Sequence, residues 1–470
     1  MVHQIRRGTK VIVVGAGLAG LTAAVKLKEA GAKVSLIEAR DRVGGRVLTI
    51  RGAFSQEQHA EAGGDFIDEG QHEIIGLVKA QGLSLRPILR QGFAFVRHSD
   101  SSRRKPPILS GEKAWNTLAH ALSPLVAAYR TVDKRWDRPI AEQLARQSVA
   151  QWLDELKADR EMRAVVRSLR GFFLADPEEL SLLALVDQLA SDVPGQTAMY
   201  RIEGGNDRLS LTLAEHIKDD LSFNSAVRAI HQDRNSVRVT TETTNGQEAS
   251  LQGKYVVLAV PATMLRTMHI LPPFPSLQAR AIHSLKYGKT TKALLQFDKS
   301  FWRRKGTPRA FGTDAPTGAL WDANEEQAGK AGILTLMAGG QASEDTQKIV
   351  ARCGVEGLVD ALGWLGSRSV TLLHSRIMTW EDDPWAKGGY AYFDPGFDPN
   401  LRDWLHRPHG RIVFAGEHTS VNWQGYMNGA VESGLRAAEE VRAMACKESN
   451  VGAGSARSVD CFTGGDAIQR

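Results

Sequence analysis

The spacing of apolar positions changes along the chain, and each change marks a predicted element. Residues 11–14 form a short β-branched apolar run, read as a buried strand. From 18 to 30 apolar residues recur at helical spacing and stop at Gly31, and 34–37 predicts a second strand. Residues 74–192 read as largely helical, with amphipathic spacing over 115–129 and 143–156 and a strongly apolar run over 179–189. Beyond 224 the pattern turns strand-rich, with alternation over 237–243. Residues 255–260 predict a buried strand ending at Pro261, 285–297 the opening of a second sheet, 332–337 a strand and 346–362 a helix. Residues 412–420 predict a strand running into a loop, followed by a helix to about Ala445.

The first strand, helix and second strand enclose a G-x-G-x-x-G loop: Gly15, Gly17 and Gly20, with Leu18 and Ala19 between the last two. The first glycine permits the tight turn, the second lets backbone approach a pyrophosphate, and the third lets helix and strand pack closely. The helix N-terminus offers N–H groups and partial positive charge to the phosphates. Glu38 ends the second strand, where an acid accepts hydrogen bonds from a ribose. Together these predict dinucleotide binding. A second glycine pair, Gly44 and Gly45, follows with Arg40 and Arg46 and brings backbone and cation to another part of the same cofactor.

Bulk properties narrow the class. The 470 residues, 42% hydrophobic and 24% charged, allow two or three globular domains, and the net charge of +6 is mild. Short basic clusters at 103–105 and 303–305 come without a nucleic-acid motif and read as solvated surface. Cys353, Cys446 and Cys461 lack metal or C-x-x-C spacing, which fits free thiols in a reducing, cytoplasmic setting. Residues 1–10 lack a secretory apolar core, no run approaches a membrane span, and 447–470 reads as a polar, disordered tail. No metal, nucleic-acid or membrane partner is expected. Between 52 and 78 there is no Lys or Arg but six acids: Glu57, Glu61, Asp65, Asp68, Glu69 and Glu73. These make either a polar surface loop or an acidic surround that favours cationic substrates.

The run Glu38-Ala39-Arg40 to Gly44-Gly45-Arg46 matches the E-A-R-x-R-x-G-G-R signature of the flavin-containing amine oxidase family, built on the glutathione-reductase-type FAD fold. The resemblance extends over about residues 10–445 and implies an α/β fold. One part is a Rossmann-like FAD-binding domain at 1–75, 195–285 and 375–446. The other is a discontinuous α+β substrate domain at 76–194 and 286–374, with a mixed sheet and covering helices. The family's G-G-x-W/Y segment, which lies beside the flavin ring, falls on Gly63, Gly64, Asp65 and Phe66, with Phe66 in place of the larger aromatic. Its G-G-x-x-x-L segment matches Gly204, Gly205 and Leu209, and Val227 matches the residue that holds the adenine end through its backbone. Lys292 matches the lysine that holds a water against flavin N5 and is implicated in oxygen reactivity. It is also a charge on an otherwise apolar strand. Trp380 matches a tryptophan near the flavin. Gly416, Glu417, Gly425, Tyr426, Met427 and Ala430 match the C-terminal flavin motif, whose helix start faces the flavin pyrimidine. Tyr390 and Tyr426 match the aromatic pair that flanks the substrate amine.

The resemblance implies oxidation of an amine to an imine that hydrolyses to aldehyde or ketone, with oxygen reduced to hydrogen peroxide, and it allows a homodimer. Monoamine oxidases attach FAD through a cysteine just before the first cage tyrosine. Here that position is Gly389, so non-covalent FAD is expected. Two other functions compete. An L-amino acid oxidase needs a cation for the substrate carboxylate, for which Arg201 is a candidate, and an oxidase-like binding module would dispense with turnover. Phe172, Phe173 and Leu174 are either pocket or plain core, and His418, without an apparent catalytic partner, reads as structural.

Overall fold

The computed structural model describes residues 5–6, 8–98, 108–191 and 198–452. Its first sheet is parallel, in the order Leu221–Ser222, Lys33–Ile37, Lys10–Val14, Tyr255–Leu258, Ile412–Phe414. The three inner strands are Val-, Ile- and Leu-rich because helices cover one face and a four-stranded sheet the other, as a parallel sheet requires. On one face lie the helices Leu18–Glu29 and Met427–Gly452. They approach closely: a Cβ at Gly434 would stand 2.9 Å from Thr22 Cβ. The four-stranded sheet containing Ser225–Gln232 and Val237–Thr243 covers the other face.

A second, seven-stranded mixed sheet runs Leu372–Thr379, Thr290–Phe297, Gly332–Gly339, Ala319–Asp322, Ala310–Thr313, Phe93–Val96, Ile108–Ser110. Every residue of Thr290–Phe297 is buried, Lys292 included. Helices between Gly111–Arg130 and Leu182–Ser191 form a separate apolar cluster beside this sheet. Among the described residues no helix is long and apolar enough to cross a membrane.

Four expectations need correction. The region 74–192 is not helical throughout: Leu85–Ile88, Phe93–Val96 and Ile108–Ser110 are strands. Phe93–Val96 pairs in parallel with Ala310–Thr313, a partner far away in sequence. The helix read over 143–156 is two helices, Pro139–Arg146 and Val149–Glu155, because Ser148 and Gln151 form a capping box that starts the second. The helix read over 346–362 breaks at Gly354, whose φ of +68° ends Gln341–Cys353 before Glu356–Ala361 begins. The last helix continues to Gly452, so 447–452 is helical. The rest of the expected tail, with Cys461, lies outside the described residues.

Candidate active site

The loop after the first strand is shaped by close approach. Gly15 has φ +98°, and a Cβ there would stand 2.8 Å from Ala259 O. Gly17 ends the turn, and a Cβ on it would meet nothing within 4 Å. The helix that starts at Leu18 has no side-chain cap and no acid in its first turn. Its free N–H groups and the open space at Gly17 suit the pyrophosphate of a dinucleotide. Glu38 lies over this loop, its Oε2 accepting from Ala16 N at 2.7 Å and its Oε1 from Arg40 N at 2.9 Å. Gly44 bridges Gly17, and Gly44 N donates to Ala16 O at 2.9 Å, so the two glycine loops form one surface.

A cavity of about 2120 Å³ extends from this surface toward the helical cluster. Every predicted cofactor residue except Gly20 lines it, from Gly15 through Glu38, Arg46, Gly63 and Val227 to Trp380, Glu417 and Ala430. Gly20 packs instead: a Cβ there would run into Gly15 O and lie 3.1 Å from Ala259 Cβ. That is the helix-to-strand packing role expected of the third glycine. Arg46 ties the distant parts together, donating from Nη1 to Gly389 O at 2.7 Å and to Glu417 Oε1 at 3.0 Å. Glu417 Oε2 accepts from Gly425 N at 3.0 Å, and Trp380 Nε1 donates to Ala62 O at 3.0 Å. Gly64 packs against the thioether of Met427: a Cβ there would stand 2.9 Å from Met427 Sδ, so a side chain would displace that flexible tip.

Lys292, Tyr390 and Tyr426 line the same cavity. Lys292 Nζ donates to Asp65 Oδ2 at 2.9 Å and to Gly63 O at 3.0 Å. Burial lowers its pKa, opposed by Asp65. The Tyr390 hydroxyl donates to Phe172 O, and its ring packs on Gly425, whose Cβ position is 3.4 Å from Tyr390 Cδ2. The Tyr426 hydroxyl donates to Gln188 Oε1 at 2.9 Å. Phe66 and Phe172 flank Trp321, with ring centroids 4.9 and 6.3 Å from it. The result is an aromatic wall.

Phe172 and Phe173 line the cavity, whereas Leu174 is core. The acidic stretch is not simply surface: Glu61 and Asp65 are buried, while Asp68 and Glu73 line the cavity. Arg201 is buried and engaged, donating from Nε to Asp65 Oδ1 at 2.6 Å and from Nη1 to Glu326 Oε2 at 3.2 Å. His418 is buried among Arg46, Arg436 and Arg402; burial first, then those cations, lower its pKa to about 3. Trp321 and Gln188 lie outside any recognisable motif, and only the fold brings them to the cage.

A doubly covered parallel sheet, a glycine-lined helix start and a cavity running from there to an aromatic wall define a dinucleotide-dependent oxidoreductase of the FAD-binding type. A family profile described as flavin containing amine oxidoreductase matches residues 18–442, and the chain belongs to that family. Amine oxidase (flavin-containing) B of Sus scrofa is 28% identical over 460 residues, covering 92% of this chain and 85% of that protein. Probable flavin-containing monoamine oxidase A of Dictyostelium discoideum is 26% identical, covering 92% and 97%. A triple mutant of putrescine oxidase, redesigned for cofactor binding, superposes with a TM-score of 0.81 at 25% identity, covering 93% of this chain and 99% of that one. Cyclohexylamine oxidase from Brevibacterium oxydans IH-35A shares the fold with the same score at 24% identity. The chain is thus a FAD-dependent amine oxidoreductase.

Proposed function

We propose that this enzyme oxidises an amine carried on an apolar group and passes the electrons to oxygen. The observation that carries this reading is the cavity wall. Tyr390 and Tyr426 border the cavity with Phe66, Phe172 and Trp321, while Arg201 and Lys292 are both held by Asp65 and Glu417 is paired with Arg46. Bound FAD supplies two-electron acceptance. The protein then has to orient the amine and hold it neutral. The two tyrosine rings pack against the apolar group of the substrate and align its amine. An apolar surround lowers the pKa of a buried amine and favours the uncharged form that reacts. Overall the amine loses two electrons and two protons to become an imine, which water hydrolyses to aldehyde or ketone with release of its nitrogen as ammonia or the remaining amine. Oxygen takes up the electrons and protons as hydrogen peroxide. Lys292 is the proposed residue beside the reacting atoms on the oxygen side, supported by its place on the cavity wall.

The residues facing the cavity from 1–75, 195–285 and 375–446 form the proposed FAD-binding part, supported by the first sheet, whose strands all come from those segments. The segments 76–194 and 286–374 are the proposed substrate part, supported by Phe172, Gln188 and Lys292. Gly389 carries no nucleophile, which supports non-covalent FAD. Unpaired Cys353 and Cys446 support a reducing, cytoplasmic setting. Arg201, spent on Asp65 and Glu326, is not free to receive a substrate carboxylate, which counts against an amino acid oxidase. A peroxide-coupled screen over apolar amines, diamines and L-amino acids tests the reading. Peroxide from apolar amines is expected, and peroxide from amino acids alone refutes it.

A further inference from the structure

Asp65 stands one residue past the glycine pair and collects donors from three strands. Its Oδ1 accepts from Arg201 Nε at 2.6 Å, and its Oδ2 accepts from Lys292 Nζ at 2.9 Å and Trp321 Nε1 at 2.8 Å. Asp65 is 7% exposed and Lys292 and Arg201 are each 2% exposed, so these contacts are made away from bulk water. Lys292 commits a second N–H to Gly63 O at 3.0 Å. An ammonium has three donors, so one remains for the cavity that Lys292 lines. We infer that Asp65 is a positioning residue that keeps Lys292 an ammonium and leaves its third N–H free for the cavity. The inference rests on the proposed place of Lys292 beside the reacting atoms.

The local charge count supports it. The titratable groups facing Lys292 are Asp65 and Glu61 from the segment after Ala60, and Arg201 from the strand Met199–Ile202. The strands on either side of Lys292 place Met337 and Met378 opposite it, and Trp321 lies beneath its Nζ with the ring centroid at 5.1 Å. Burial, reinforced by Asp65, pushes Glu61 up to about 8, so Glu61 is mostly uncharged at neutral pH. Its oxygens are satisfied by Thr49 Oγ1 at 2.8 Å and Asn206 N at 2.9 Å. Asp65 and Glu326 then balance Arg201 and Lys292. Burial raises the pKa of Asp65, but Arg201 and Lys292 outweigh that and hold it below the ordinary carboxylate value. For Lys292 both burial and Arg201 disfavour the charged form, and Asp65 is the main group sustaining it. Its removal leaves an ammonium in an apolar, cation-bearing site, where lysine readily gives up its proton.

The test uses FAD-loaded Asp65→Asn and follows two signals between about pH 6 and 9: the visible absorbance of bound flavin, and the rate at which reduced enzyme reoxidises. The wild type is expected to show no Lys292-dependent absorbance transition in that range. Asp65→Asn is expected to gain one, which disappears when Lys292→Met is added. Its reoxidation rate is expected to fall about tenfold per pH unit above that transition. Asp65→Glu is expected to restore the wild-type profile, which a merely structural defect would not allow. An Asp65→Asn profile matching wild type overturns the inference. Should Asp65→Asn fail to hold FAD, the wild type decides: an absorbance transition in this range that Lys292→Met abolishes contradicts the inference, and its absence agrees with it. Lys292→Met reoxidising at the wild-type rate would overturn the underlying role of Lys292 instead, with the absorbance titration still reporting on the ion pair.

Discussion

Gly15→Ala places a methyl group at the tightest turn of the cofactor loop. The new Cβ would stand 2.8 Å from Ala259 O and 3.2 Å from both Ala259 C and Val260 Cγ1. Two of those three atoms are backbone of the loop that follows an inner strand, so they cannot swing aside as a side-chain tip would. Gly15 itself is fixed by its N–H, which donates to Ile37 O at 2.7 Å. Its φ of +98° adds about 1–3 kcal/mol of strain for any side-chain-bearing residue. Overpacking adds about 1–3 kcal/mol more. Relief comes from moving the loop, and that displaces the N–H groups meant for the pyrophosphate. At least about 1.4 kcal/mol of the cost should therefore fall on cofactor binding, a tenfold or greater loss of affinity. Titration of apoprotein with FAD, followed by flavin fluorescence, measures it, with thermal melting of the holoenzyme alongside. Gly76→Ala is the control: its Cβ would meet nothing within 4 Å, in the interior of the helix His72–Ala80, and alanine there should be neutral or stabilising by up to about 1 kcal/mol. Wild-type affinity and melting temperature in Gly15→Ala would refute the reasoning.

Acid precipitation of the holoenzyme should release all yellow colour to the supernatant, since Gly389 offers no attachment; colour left on the pellet contradicts this. His418 gives a pH dependence of stability. Its folded pKa of about 3 lies below the unfolded value, so the unfolded chain binds the extra proton as pH falls. Stability is full above about pH 6.5 and declines below it, by about 2.7 kcal/mol at pH 4.5 for this residue alone. Denaturant melts at both pH values should show that His418→Gln loses less stability on acidification than wild type; equal losses would remove His418 from the acid response.

What could be read from the sequence is mostly local. Gly15 to Glu38 announces itself because the turn, the helix start and the acid are neighbours in the chain, and the fold keeps them together. The expected aromatic pair does border one cavity, although Tyr390 and Tyr426 lie on either side of the strand Ile412–Phe414 in the chain. Contacts made across the chain left no such trace. Phe93–Val96 is a four-residue strand whose partner is Ala310–Thr313, and nothing in its own spacing signals that pairing. Asp65 reads in the sequence as part of the glycine-pair segment and as one acid of an acidic stretch; its ties to Arg201, Lys292 and Trp321, which reach it from three separate strands, are visible only in the fold. Gln188 sits in an apolar helix and becomes a cage residue only through the Tyr426 hydroxyl. Helix breaks at Ser148 and Gly354 were legible in principle, as a capping-box serine and a positive-φ glycine, but the apolar periodicity ran across both.

The central claim is that the aromatic-walled cavity delivers a neutral, apolar amine to bound FAD. Anaerobic titration of the holoenzyme tests it most directly, because it isolates the reductive step from oxygen. Stepwise addition of an apolar amine should bleach the visible flavin band to completion at about one equivalent per site. The same L-amino acid series should leave the band unchanged. Bleaching by amino acids with none by apolar amines, or no bleaching by either, would contradict the account.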